Sequence, residues 1–586
     1  MITPMKKFTF LVFHRDYEAF LEDLREAGVV HVSQRAAGLA EDADLQALIA
    51  RRAEIKHLLQ QGCPDQMLKE KADIEQQMRA IQKEQARVAV WGDFSSETVA
   101  KLAEAGYTLY YYICPKKAFD EEWGIVVNET KDKVYFVSTL CRDASETLTR
   151  VELTKSVSEL ERDLTGLNGL LAAANARIEA WALANKERLE EELRDIEQQI
   201  DWKQVTLNTE SAAEGALCVL EGFCPAENAP ALEERLKALS AALYYEVEDP
   251  QPEDATPIKL HNNWFTKLFE PLTGMYGWPN YGEFDPTPIL GPFFLLFFAL
   301  CIGDMGYGLL LILIGALIHS GKLKIEMFEG LGPIIMALGV GCTIIGFFMS
   351  TFFGIDLYAA EWVPDAVKSV MFKHFGGTDG KIGEYDVMMV MALAIGVVHI
   401  CLAMVIKALC YTKRFGFKET ASAWGWLTLI LGSLIIAVLA VTEVFSPEIT
   451  RIALIAVGAV SALGIFIFNK PGRNPLINIG AGLWDTYQMA TGILGDVLSY
   501  IRLYALGLAG GMLGAAFNNL GTMVLGESPN IGTWIGFILI VVFGHVLNLL
   551  MACLGAFVHP LRLTFVEYFK NSGYEGSGKL YRPFKK

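Results

Sequence analysis

The sequence has no C-x-x-C pair and no grouping of cysteine and histidine with metal-ligand spacing, although it contains 10 cysteines and 9 histidines. Five of the cysteines lie in or beside apolar segments, where a free thiol acts as a small apolar side chain. These are Cys301, Cys342, Cys401, Cys410 and Cys553. The cysteines therefore indicate no disulfide framework, and we expect no metal or other cofactor.

The sequence also lacks a nucleotide-binding loop of the form G-x-x-x-x-G-K-[ST]. Gly576-Ser577-Gly578-Lys579 comes closest, but it lies in a basic tail and follows no predicted strand. The net charge of −17 argues against nucleic acid as the main partner. Residues 1–12 hold no apolar stretch long enough for a signal peptide, so we expect the soluble part to stay in the cytoplasm. Nothing here indicates an enzyme.

The chain of 586 residues divides into two unlike halves, which its mean hydropathy of +0.31 conceals. Residues 1–260 are charged and contain no long apolar run, whereas a series of long apolar runs begins near residue 288. Sustained apolar runs of about 18 residues or more are typical of membrane helices. The sequence predicts a mostly α-helical protein, with a cytoplasmic domain at 1–260 and a polytopic membrane domain at 261–586.

Within the first half, short β-type runs and helices predict two small α/β lobes separated by helical segments. The near lobe combines 1–40 with 205–250, and the far lobe is 89–146. The helical segments, 42–88 and 150–204, flank the far lobe in the chain, so we expect them to pair antiparallel as a two-helix coiled coil. The predicted domain is a dumbbell, a rod with a lobe at each end.

The second helical segment carries a coiled-coil seam, in which apolar residues recur in steps of four and three. Consecutive steps of four past Asn185 mark a stutter. The seam consists of Leu153, Val157, Leu160, Leu164, Leu167, Leu171, Ala174 and Ile178, followed by Leu189, Leu193, Ile196 and Ile200. In the first segment, Gly62-Cys63-Pro64 predicts a kink or break.

The second half predicts about eight membrane spans of roughly 20 residues each. They lie near 288–302, 304–319, 332–353, 387–408, 424–444, 451–468, 488–524 and 532–566. The last two exceed the length of an upright helix, so they must tilt strongly or bend. The segments after even-numbered spans are basic, which predicts cytoplasmic termini. Their cations are Lys322, Lys324, Lys407, Lys413, Arg414, Lys418, Lys470, Arg473, Lys570, Lys579, Arg582, Lys585 and Lys586.

Arg502 lies inside the apolar stretch 493–520, with Asp496 as the nearest acid, six residues earlier and off its helical face. A guanidinium in hydrocarbon costs about 3 kcal/mol on insertion scales and does not deprotonate. Snorkelling to an interface is the simpler interpretation, but the apolar residues on both sides of Arg502 weigh against it. We expect its carboxylate partner on another helix, in a water-filled cavity or on another protein.

Other ionisable residues occur at membrane depth. Asp304 lies between the first two spans, and Arg562 ends the last apolar run with His559 three residues earlier. His399 and His545 lie in the middle of spans. Each alone is more often a hydrogen-bonded structural residue, but Arg502 together with Arg562, Asp304 and His559 indicates an ion path.

The segment Ser499-Tyr500-Ile501-Arg502-Leu503-Tyr504-Ala505-Leu506 resembles the membrane stator subunit of V-type and archaeal-type rotary ATPases, called subunit a or I, in a prokaryotic form. The similarity extends over nearly the whole chain. Further matching blocks are Val219-Leu220-Glu221-Gly222-Phe223, Tyr281-Gly282-Glu283-Phe284-Asp285-Pro286-Thr287-Pro288, Gly303-Asp304-Met305-Gly306 and His559-Pro560-Leu561-Arg562-Leu563 with Val566-Glu567.

The resemblance implies that H⁺ or Na⁺ crosses the membrane through two half-channels beside a rotor ring of proteolipid subunits, each with one membrane carboxylate. Arg502 would force that carboxylate to release its ion, and Arg562 would be the second arginine. The remaining implied ion-path residues are Asp304, His559, Asp496, Glu567, Glu283 and Asp285. Implied partners also include helical peripheral-stalk subunits and a central-stalk docking subunit, in the plasma membrane of a prokaryote.

The chain departs from the vacuolar pattern of this family at three positions. Ala552 and Gln488 stand where glutamates are expected, and Gly510 stands where a histidine is expected. These departures leave the lining of the half-channels open, and Asp496 could replace part of it. A secondary transporter with a cytoplasmic domain and a structural membrane tether are the alternatives from other classes. The sequence does not distinguish H⁺ from Na⁺, or synthase from pump.

Overall fold

The computed structural model describes residues 2–33, 42–142, 148–153, 155–212, 216–239, 243–251, 254–322, 330–371, 381–382, 385–417, 419–442, 444–467, 475–526 and 530–585. Several cations used above to predict orientation lie outside these residues, namely Lys324, Lys418, Lys470, Arg473 and Lys586. The chain forms two compact units, residues 1–33 with 211–585 and residues 34–210 with 586.

The described residues are mostly helical. The helices are α1 Tyr17–Ala27, α2 Ala43–Gln61, α3 Asp65–Val88, α4 Ser96–Glu104, α5 Val157–Leu207, α6 Ala229–Ala238, α7 Trp264–Tyr276, α8 Thr287–Ile302, α9 Met305–His319, α10 Gly332–Phe348, α11 Asp365–Lys368, α12 Val387–Phe415, α13 Ala421–Val441, α14 Pro447–Ala462, α15 Pro475–Leu498, α16 Ile501–Leu525, α17 Ile531–Arg562 and α18 Phe569–Ser572. The strands are β1 Met5–Phe13, β2 His31–Val32, β3 Tyr110–Pro115, β4 Ile125–Glu129, β5 Lys133–Ser138, β6 Thr149–Val151, β7 Glu210–Ala212, β8 Leu217–Pro225, β9 Leu243–Glu248, β10 Thr351–Phe352, β11 Ile355–Asp356, β12 Lys381–Ile382 and β13 Tyr385–Asp386.

In the first unit, an antiparallel sheet in the order β2-β8-β1-β9 joins both ends of the soluble half, with β7 beside β8. Strand β1 alternates buried and half-buried residues, as expected for a sheet with one face covered. Helix α1 covers that face, and Phe20 packs against Phe10 with ring centroids 5.3 Å apart. Helix α1 ends where Gly28 adopts a φ of +61°.

In the second unit, α2 and α3 pack antiparallel against α5. Arg51 of α2 pairs with Glu192 at 2.7 Å, and Arg177 pairs with Glu70 of α3 at 3.0 Å. As residue numbers increase along α2 and α3, the numbers of their partners on α5 decrease, which is the antiparallel arrangement. The predicted break is confirmed, because Gly62 ends α2 with a φ of +72° and α3 starts at Asp65.

The seam of α5 is buried at several predicted positions. Its fully buried members are Leu160, Ala174, Leu189, Ile196 and Ile200. The prediction that the helical seam starts at Leu153 is wrong, because α5 begins only at Val157. Ser156 and Glu159 form a capping box there, which satisfies backbone N–H groups at the helix start and fixes its position.

The far end of the second unit holds an antiparallel sheet in the order β4-β5-β3-β6, with α4 nearby in the chain. Tyr112 and Phe136 stack at 5.5 Å in its core. Cys114, Val134 and Leu148 complete this buried cluster. A small apolar core of its own makes this sheet a separate packed element of the unit.

The first unit also contains the apolar helices of a multi-pass membrane protein. Five helical stretches among the described residues are long and apolar enough to cross a membrane, namely Val387–Phe415, Ala421–Ala440, Pro447–Phe466, Gly482–Leu525 and Ile531–Ser572. Helices α8, α9 and α10 are apolar but shorter. Each coincides with a predicted span, and the total of eight spans stays a prediction.

Helices α9 and α10 pack closely through glycines. A Cβ atom on Gly308 would lie 2.5 Å from the backbone nitrogen of Thr343, and one on Gly339 would lie 2.7 Å from that of Ile312. Small residues at helix contacts let backbones approach, which is how apolar helices associate in lipid. The short α9 and α10 therefore form one tight hairpin.

The predicted span 488–524 is divided by a tight turn at Ser499 and Tyr500, between α15 and α16. The backbone N–H of Leu503 donates to the Tyr500 carbonyl at 3.0 Å, a shorter-range bond than in an α-helix. The Tyr500 side chain is fully buried, and its hydroxyl is 2.8 Å from His399 Nδ1 of α12. This anchor fixes the turn directly before Arg502. The next long helix, α17, continues through a π-helical turn at Leu563–Tyr568 into α18.

Candidate functional site

Arg502 lies in the first turn of α16, directly after the turn at Ser499 and Tyr500. Its side chain is half-buried, and its Nη1 atom is buried with no hydrogen-bond partner among the residues that the structure describes. A buried donor without a partner loses its hydration without compensation. The Arg502 guanidinium therefore keeps a buried N–H donor that has no acceptor in the described part of the chain.

The end of α17 and the π-helical turn after it bring three more predicted residues to Arg502. Glu567 is only 3% exposed, and the charges of Arg502 and Arg562 both act on its carboxylate. The same two guanidinium groups act on His559. Glu567 Oε2 and His559 Nδ1 are also buried without hydrogen-bond partners in the described part of the chain. We call Arg502, His559, Arg562 and Glu567 the arginine cluster.

A polar face runs along α17 toward the arginine cluster. Its members recur in alternating steps of three and four, which places them on one side of the helix. Its polar members are His545, Asn548, His559 and Arg562, and the small residues Ala552 and Gly555 lie between them. Asn548 Nδ2 donates to the Gly510 carbonyl of α16 at 2.9 Å, so this face of α17 contacts α16.

Farther along these two helices, a chain of hydrogen bonds joins α9, α16 and α17. Asn548 Nδ2 donates to the Tyr307 hydroxyl at 2.8 Å, and that hydroxyl is 2.7 Å from His545 Nδ1. His545 Nε2 is 3.0 Å from Asn518 Oδ1, and Asn518 Nδ2 donates to the Phe353 carbonyl at 2.7 Å. We call this the Tyr307 chain.

The donor and the acceptor of each bond follow from the groups at the ends of the Tyr307 chain. A carbonyl only accepts, so Asn518 must direct Nδ2 at Phe353 and Oδ1 at His545. His545 Nε2 therefore carries a proton, and Nδ1 of the neutral ring accepts from the Tyr307 hydroxyl. Every donor in the Tyr307 chain has an acceptor only when His545 is neutral and in this tautomer.

Asp304 lies beside the Tyr307 chain as the N-cap of α9, and it is 3% exposed. Its Oδ1 accepts from the backbone nitrogens of Gly306, Tyr307 and Phe353 at 2.8, 3.2 and 2.9 Å, and its Oδ2 accepts from that of Gly354 at 2.8 Å. Phe353 has a φ of +48°, an uncommon conformation for a bulky residue. Asp304 thus holds a strained loop to a helix start, while its ion-path role stays a prediction.

Asp496 lies in a cavity of about 330 Å³ that we call the Asp496 cavity, and Asn571 connects it to the arginine cluster by also donating to the Glu567 carbonyl at 2.7 Å. The Asp496 carboxylate pairs with Lys570 at 3.3 Å and accepts from Asn571 Nδ2 at 2.8 Å. Asp485, Gln488 and Gly492 line the same cavity. Together with Asp496 they recur in steps of three and four on one face of α15, so this helix presents a polar face to the cavity.

Glu283 and Asp285 lie in the loop before α8. Glu283 accepts from the backbone nitrogens of Asn280 at 2.9 Å and Glu575 at 3.2 Å, and Asp285 accepts from that of Thr287 at 3.0 Å. These contacts shape the loop and tie it to the C-terminal tail. Their predicted part in ion translocation stays untested.

The structure therefore unites Arg502, Arg562, His559 and Glu567, and Asn571 links Asp496 to Glu567. Asp304, Glu283 and Asp285 make their hydrogen bonds to other parts of the chain. Sequence reasoning missed polar residues in both neighbouring regions: Asp485, Lys570 and Asn571 at the Asp496 cavity, and Tyr307, Asn518 and Asn548 in the Tyr307 chain. Their helical spacing within apolar segments was the available signal. Among the described residues, no group of three or more His, Cys, Asp or Glu could hold a metal ion.

Comparison with known proteins gives a consistent result over most of the chain. The model of the V-type ATPase 116kDa subunit family matches residues 64–359 and 488–586. The second matched segment contains the whole arginine cluster. The chain is also similar to the V-type ATP synthase subunit I of Borreliella burgdorferi, with 27% identity over 629 residues that cover 100% of both proteins.

Two further relatives widen the range of organisms. The A-type ATP synthase subunit I of Methanocaldococcus jannaschii is 30% identical over 482 residues, which cover 77% of this chain and 65% of that protein. The V-type ATP synthase subunit I of Chlamydia trachomatis is 26% identical over 664 residues, covering 98% of both. The similarity therefore extends across bacterial and archaeal proteins.

Proposed function

Because the chain belongs to the V-type ATPase 116kDa subunit family, we propose that it is the ion-translocating stator subunit of a rotary ATPase, without a catalytic site of its own. Relatives named as ATP synthase subunit I, with similarity along their whole length, support a membrane subunit of such a complex. The transported ion is H⁺ or Na⁺. The partner in translocation is a rotor ring whose subunits each carry one membrane carboxylate.

The observation that carries this proposal is the buried Nη1 of Arg502, which has no partner in the described part of the chain. An arginine kept for structure alone would be expected to satisfy its buried donors within the chain. Arg502 instead retains a donor for a partner from outside, and a passing carboxylate fits its charge and its planar fork of N–H groups.

The ion is released because a fixed cation favours the charged form of a nearby carboxylate. A rotor carboxylate that arrives beside Arg502 gives up its ion, and the guanidinium then blocks a direct leak between the two sides. An ionised carboxylate is costly to move into lipid, so the ring turns onward only after another ion has bound. Rotation and ion passage are coupled in this way.

Two polar regions near the arginine cluster would serve as the half-channels. The Asp496 cavity lies at the α15 side, before the turn at Ser499 and Tyr500. The Tyr307 chain and the polar face of α17 lie on the other side, toward the α16 end of the same bent span. Asp496, His545 and Asn548 would thereby supply polar groups near the positions where Gln488, Gly510 and Ala552 depart from the vacuolar pattern.

The proposed orientation places both termini in the cytoplasm, with eight spans in the plasma membrane of a prokaryote. The N-terminal domain is then a dumbbell-shaped rod on the cytoplasmic side. Its far lobe, 89–146, would bind helical peripheral-stalk subunits, and its near lobe would meet the central-stalk docking subunit. The antiparallel pairing of α2 and α3 with α5 supports the rod, because it carries the chain to the far lobe and back.

The decisive experiment replaces Arg502 in the assembled complex within proteoliposomes. Arg502→Ala should reduce ATP-driven ion transport to background, while ATP hydrolysis by the detached soluble motor continues. Arg502→Lys should also fail or nearly fail, because an ammonium lacks the planar fork of donors. Arg562→Ala should weaken transport less.

Arg451 supplies the matched control, because it is an exposed arginine in α14, away from the cluster. Arg451→Ala should transport at the wild-type rate. Wild-type transport by Arg502→Lys would remove the special role of Arg502. Equal losses in Arg451→Ala and Arg502→Ala would show that transport responds to any change of charge in this region.

A further inference from the structure

The C-terminal tail lines a cavity of about 330 Å³ that lies outside the arginine cluster and both proposed half-channels. The tail contributes residues 577–579, which belong to the Gly576-Ser577-Gly578-Lys579 segment that is not a nucleotide loop. The other walls come from residues 250–251 and 254–256, residues 280–282 and the end of α12 at Arg414. We call this the tail cavity, and its volume is within the range of about 300–1,000 Å³ for small-molecule sites.

The tail cavity has two cations that are available to a ligand. Arg414 and Lys579 line it from different elements, and neither forms a side-chain ion pair with the residues that the structure describes. Its acid, Asp254, is already engaged, because Lys7 Nζ lies 2.9 Å from Oδ1 and the backbone nitrogen of Gln251 donates to Oδ2 at 2.8 Å. The local balance therefore favours an anion.

Two hydroxyl groups add neutral donors. Thr256 is 5% exposed, and its Oγ1 is buried with no hydrogen-bond partner among the described residues. Ser577 Oγ accepts from Asn280 Nδ2 at 2.8 Å, which leaves its own proton to donate. Buried hydroxyls usually have partners, so the unpartnered Thr256 is an independent sign of a missing polar ligand.

We propose that the tail cavity binds a phosphate group. Phosphate oxygens accept several hydrogen bonds and match a guanidinium, an ammonium and two hydroxyls better than a simple halide does. The group could belong to an anionic phospholipid or to free phosphate. The position of Arg414 in the last turn of the apolar helix α12 places the cavity where lipid headgroups lie, and basic pockets at such helix ends bind them.

The fold of the tail is adapted to this position. A Cβ atom on Gly578 would lie 1.9 Å from the Pro279 carbonyl oxygen, so only glycine lets the tail approach this closely. The Gly578 nitrogen donates to the Trp278 carbonyl at 2.8 Å. Close docking of the tail at Gly578, between Ser577 and Lys579, keeps these two residues at the cavity.

The test measures binding to the purified, delipidated full chain in a neutral detergent, by thermal unfolding and native mass spectrometry. The probes are phosphatidylglycerol, phosphatidylcholine and inorganic phosphate. The variants are Arg414→Gln with Lys579→Gln, which removes both charges, and Thr256→Val, which removes one hydroxyl at constant shape. Lys413→Gln is the control. It removes the positive charge next to Arg414 in the sequence, and Lys413 does not line the tail cavity.

Phosphatidylglycerol should raise the unfolding temperature and remain bound in the gas phase. Removal of both charges should weaken its binding at least about tenfold, which corresponds to the loss of a charge-assisted hydrogen bond. Thr256→Val should weaken binding without lowering the unfolding temperature of the lipid-free chain, because it removes an unsatisfied buried hydroxyl. Lys413→Gln should bind as the wild type does.

A response to inorganic phosphate that depends on Arg414 and Lys579 would support the site and identify free phosphate as its ligand. A response to phosphatidylglycerol alone would identify a lipid headgroup. Failure of both probes to bind would overturn the proposal. An equal loss in Lys413→Gln and in the double variant would also overturn it, because attraction would then depend on surface charge alone.

Discussion

The Tyr307 hydroxyl lies 2.7 Å from Nδ1 of His545, and this bond joins α9 to α17 across 238 residues of sequence. This bond lies in the middle of the Tyr307 chain, and the donor and acceptor of every other bond in that chain are fixed. Protonation of His545 at Nδ1 would replace the acceptor of the Tyr307 proton with a second donor. The chain therefore favours a neutral His545 and holds the α9–α10 hairpin to the pair α16 and α17.

Tyr307→Phe tests this link, since it removes the hydroxyl and leaves the ring in place. His545 Nδ1 would lose its donor, and Asn548 Nδ2 would lose one of its acceptors. We expect a loss of about 1–3 kcal/mol in the free energy of unfolding, together with slower ion transport. Thermal unfolding in detergent and a transport assay would measure both.

Tyr487→Phe is the matched control, because Tyr487 is 63% exposed on α15 and its hydroxyl makes no hydrogen bond to the described residues. It should leave both quantities unchanged. A Tyr307→Phe variant as stable as the wild type would mean that the Tyr307 chain has no role in holding these helices together.

Asp304→Asn should destabilise the membrane domain even if Asp304 never carries an ion. The carboxylate accepts four backbone N–H groups with two oxygens, whereas an amide has one oxygen and directs an NH₂ group at a donor. Hydrogen bonds to a charged group contribute about 1.5–3 kcal/mol each, so we expect a loss on the order of 3 kcal/mol. Asp365→Asn, at an exposed position, is the control for thermal unfolding. Similar stability of the two variants would contradict the structural role of Asp304.

These residues show which features could be predicted from the sequence and which could not. The coiled-coil seam and the break at Gly62 follow from local patterns, namely helical periodicity and glycine next to proline. The turn before Arg502 does not, because it depends on the burial of Tyr500 against His399, 101 residues away. Asp304 was expected on the ion path because an acid at membrane depth is unusual, but its four donors come partly from a loop 49 and 50 residues later.

The coiled coil of the second unit offers a comparison within one helix. Leu189 of α5 is 4% exposed and packs in the cluster of Leu45 and Ile55, whereas Leu183 is 81% exposed. Leu189→Ala should reduce the free energy of unfolding of a fragment spanning residues 42–207 by about 2–5 kcal/mol, because it leaves a cavity. Leu183→Ala should change it by less than about 0.5 kcal/mol. Denaturant titration followed by circular dichroism would compare them, and equal losses would contradict the observed seam.

His31 predicts a pH dependence at the contact between the near-lobe sheet and the tail. Its Nδ1 lies 3.0 Å from the backbone nitrogen of Arg582. Burial lowers the pKa of His31, and the charges of Lys579 and Arg582 lower it further, although a hydrogen bond to the Arg582 carbonyl partly opposes them. The unfolded chain therefore binds a proton more readily than the folded one.

The stability that depends on neutral His31 is fully present above about pH 6.5 and falls as the pH decreases toward the lowered folded-state pKa. Thermal unfolding at about pH 7.5 and about pH 5.5 should show a smaller difference for His31→Gln than for the wild type. An unchanged difference between the two pH values would mean that His31 does not contribute to the pH dependence.

The final prediction concerns the surface that faces the rotor ring. Leu508 of α16 and Leu554 of α17 are 45% and 63% exposed, although they lie in the two helices that carry Arg502 and Arg562. If the ring passes this surface, cysteines at these positions should crosslink to a cysteine placed beside the rotor carboxylate. Ile435 of α13 is equally apolar and 50% exposed, and a cysteine there should not crosslink.

The choice of positions follows from the break before Arg502. Leu498 is four residues from Arg502 but belongs to α15, so helical spacing does not place it on the same face. Leu506 does share that face, but it packs toward Gly555 of α17 and is only partly exposed. Leu508 and Leu554 therefore report on the outer surface of the α16–α17 pair. Crosslinking from Ile435, with none from Leu508 or Leu554, would place the ring against α13 and separate it from Arg502, which would contradict the proposed mechanism of ion release.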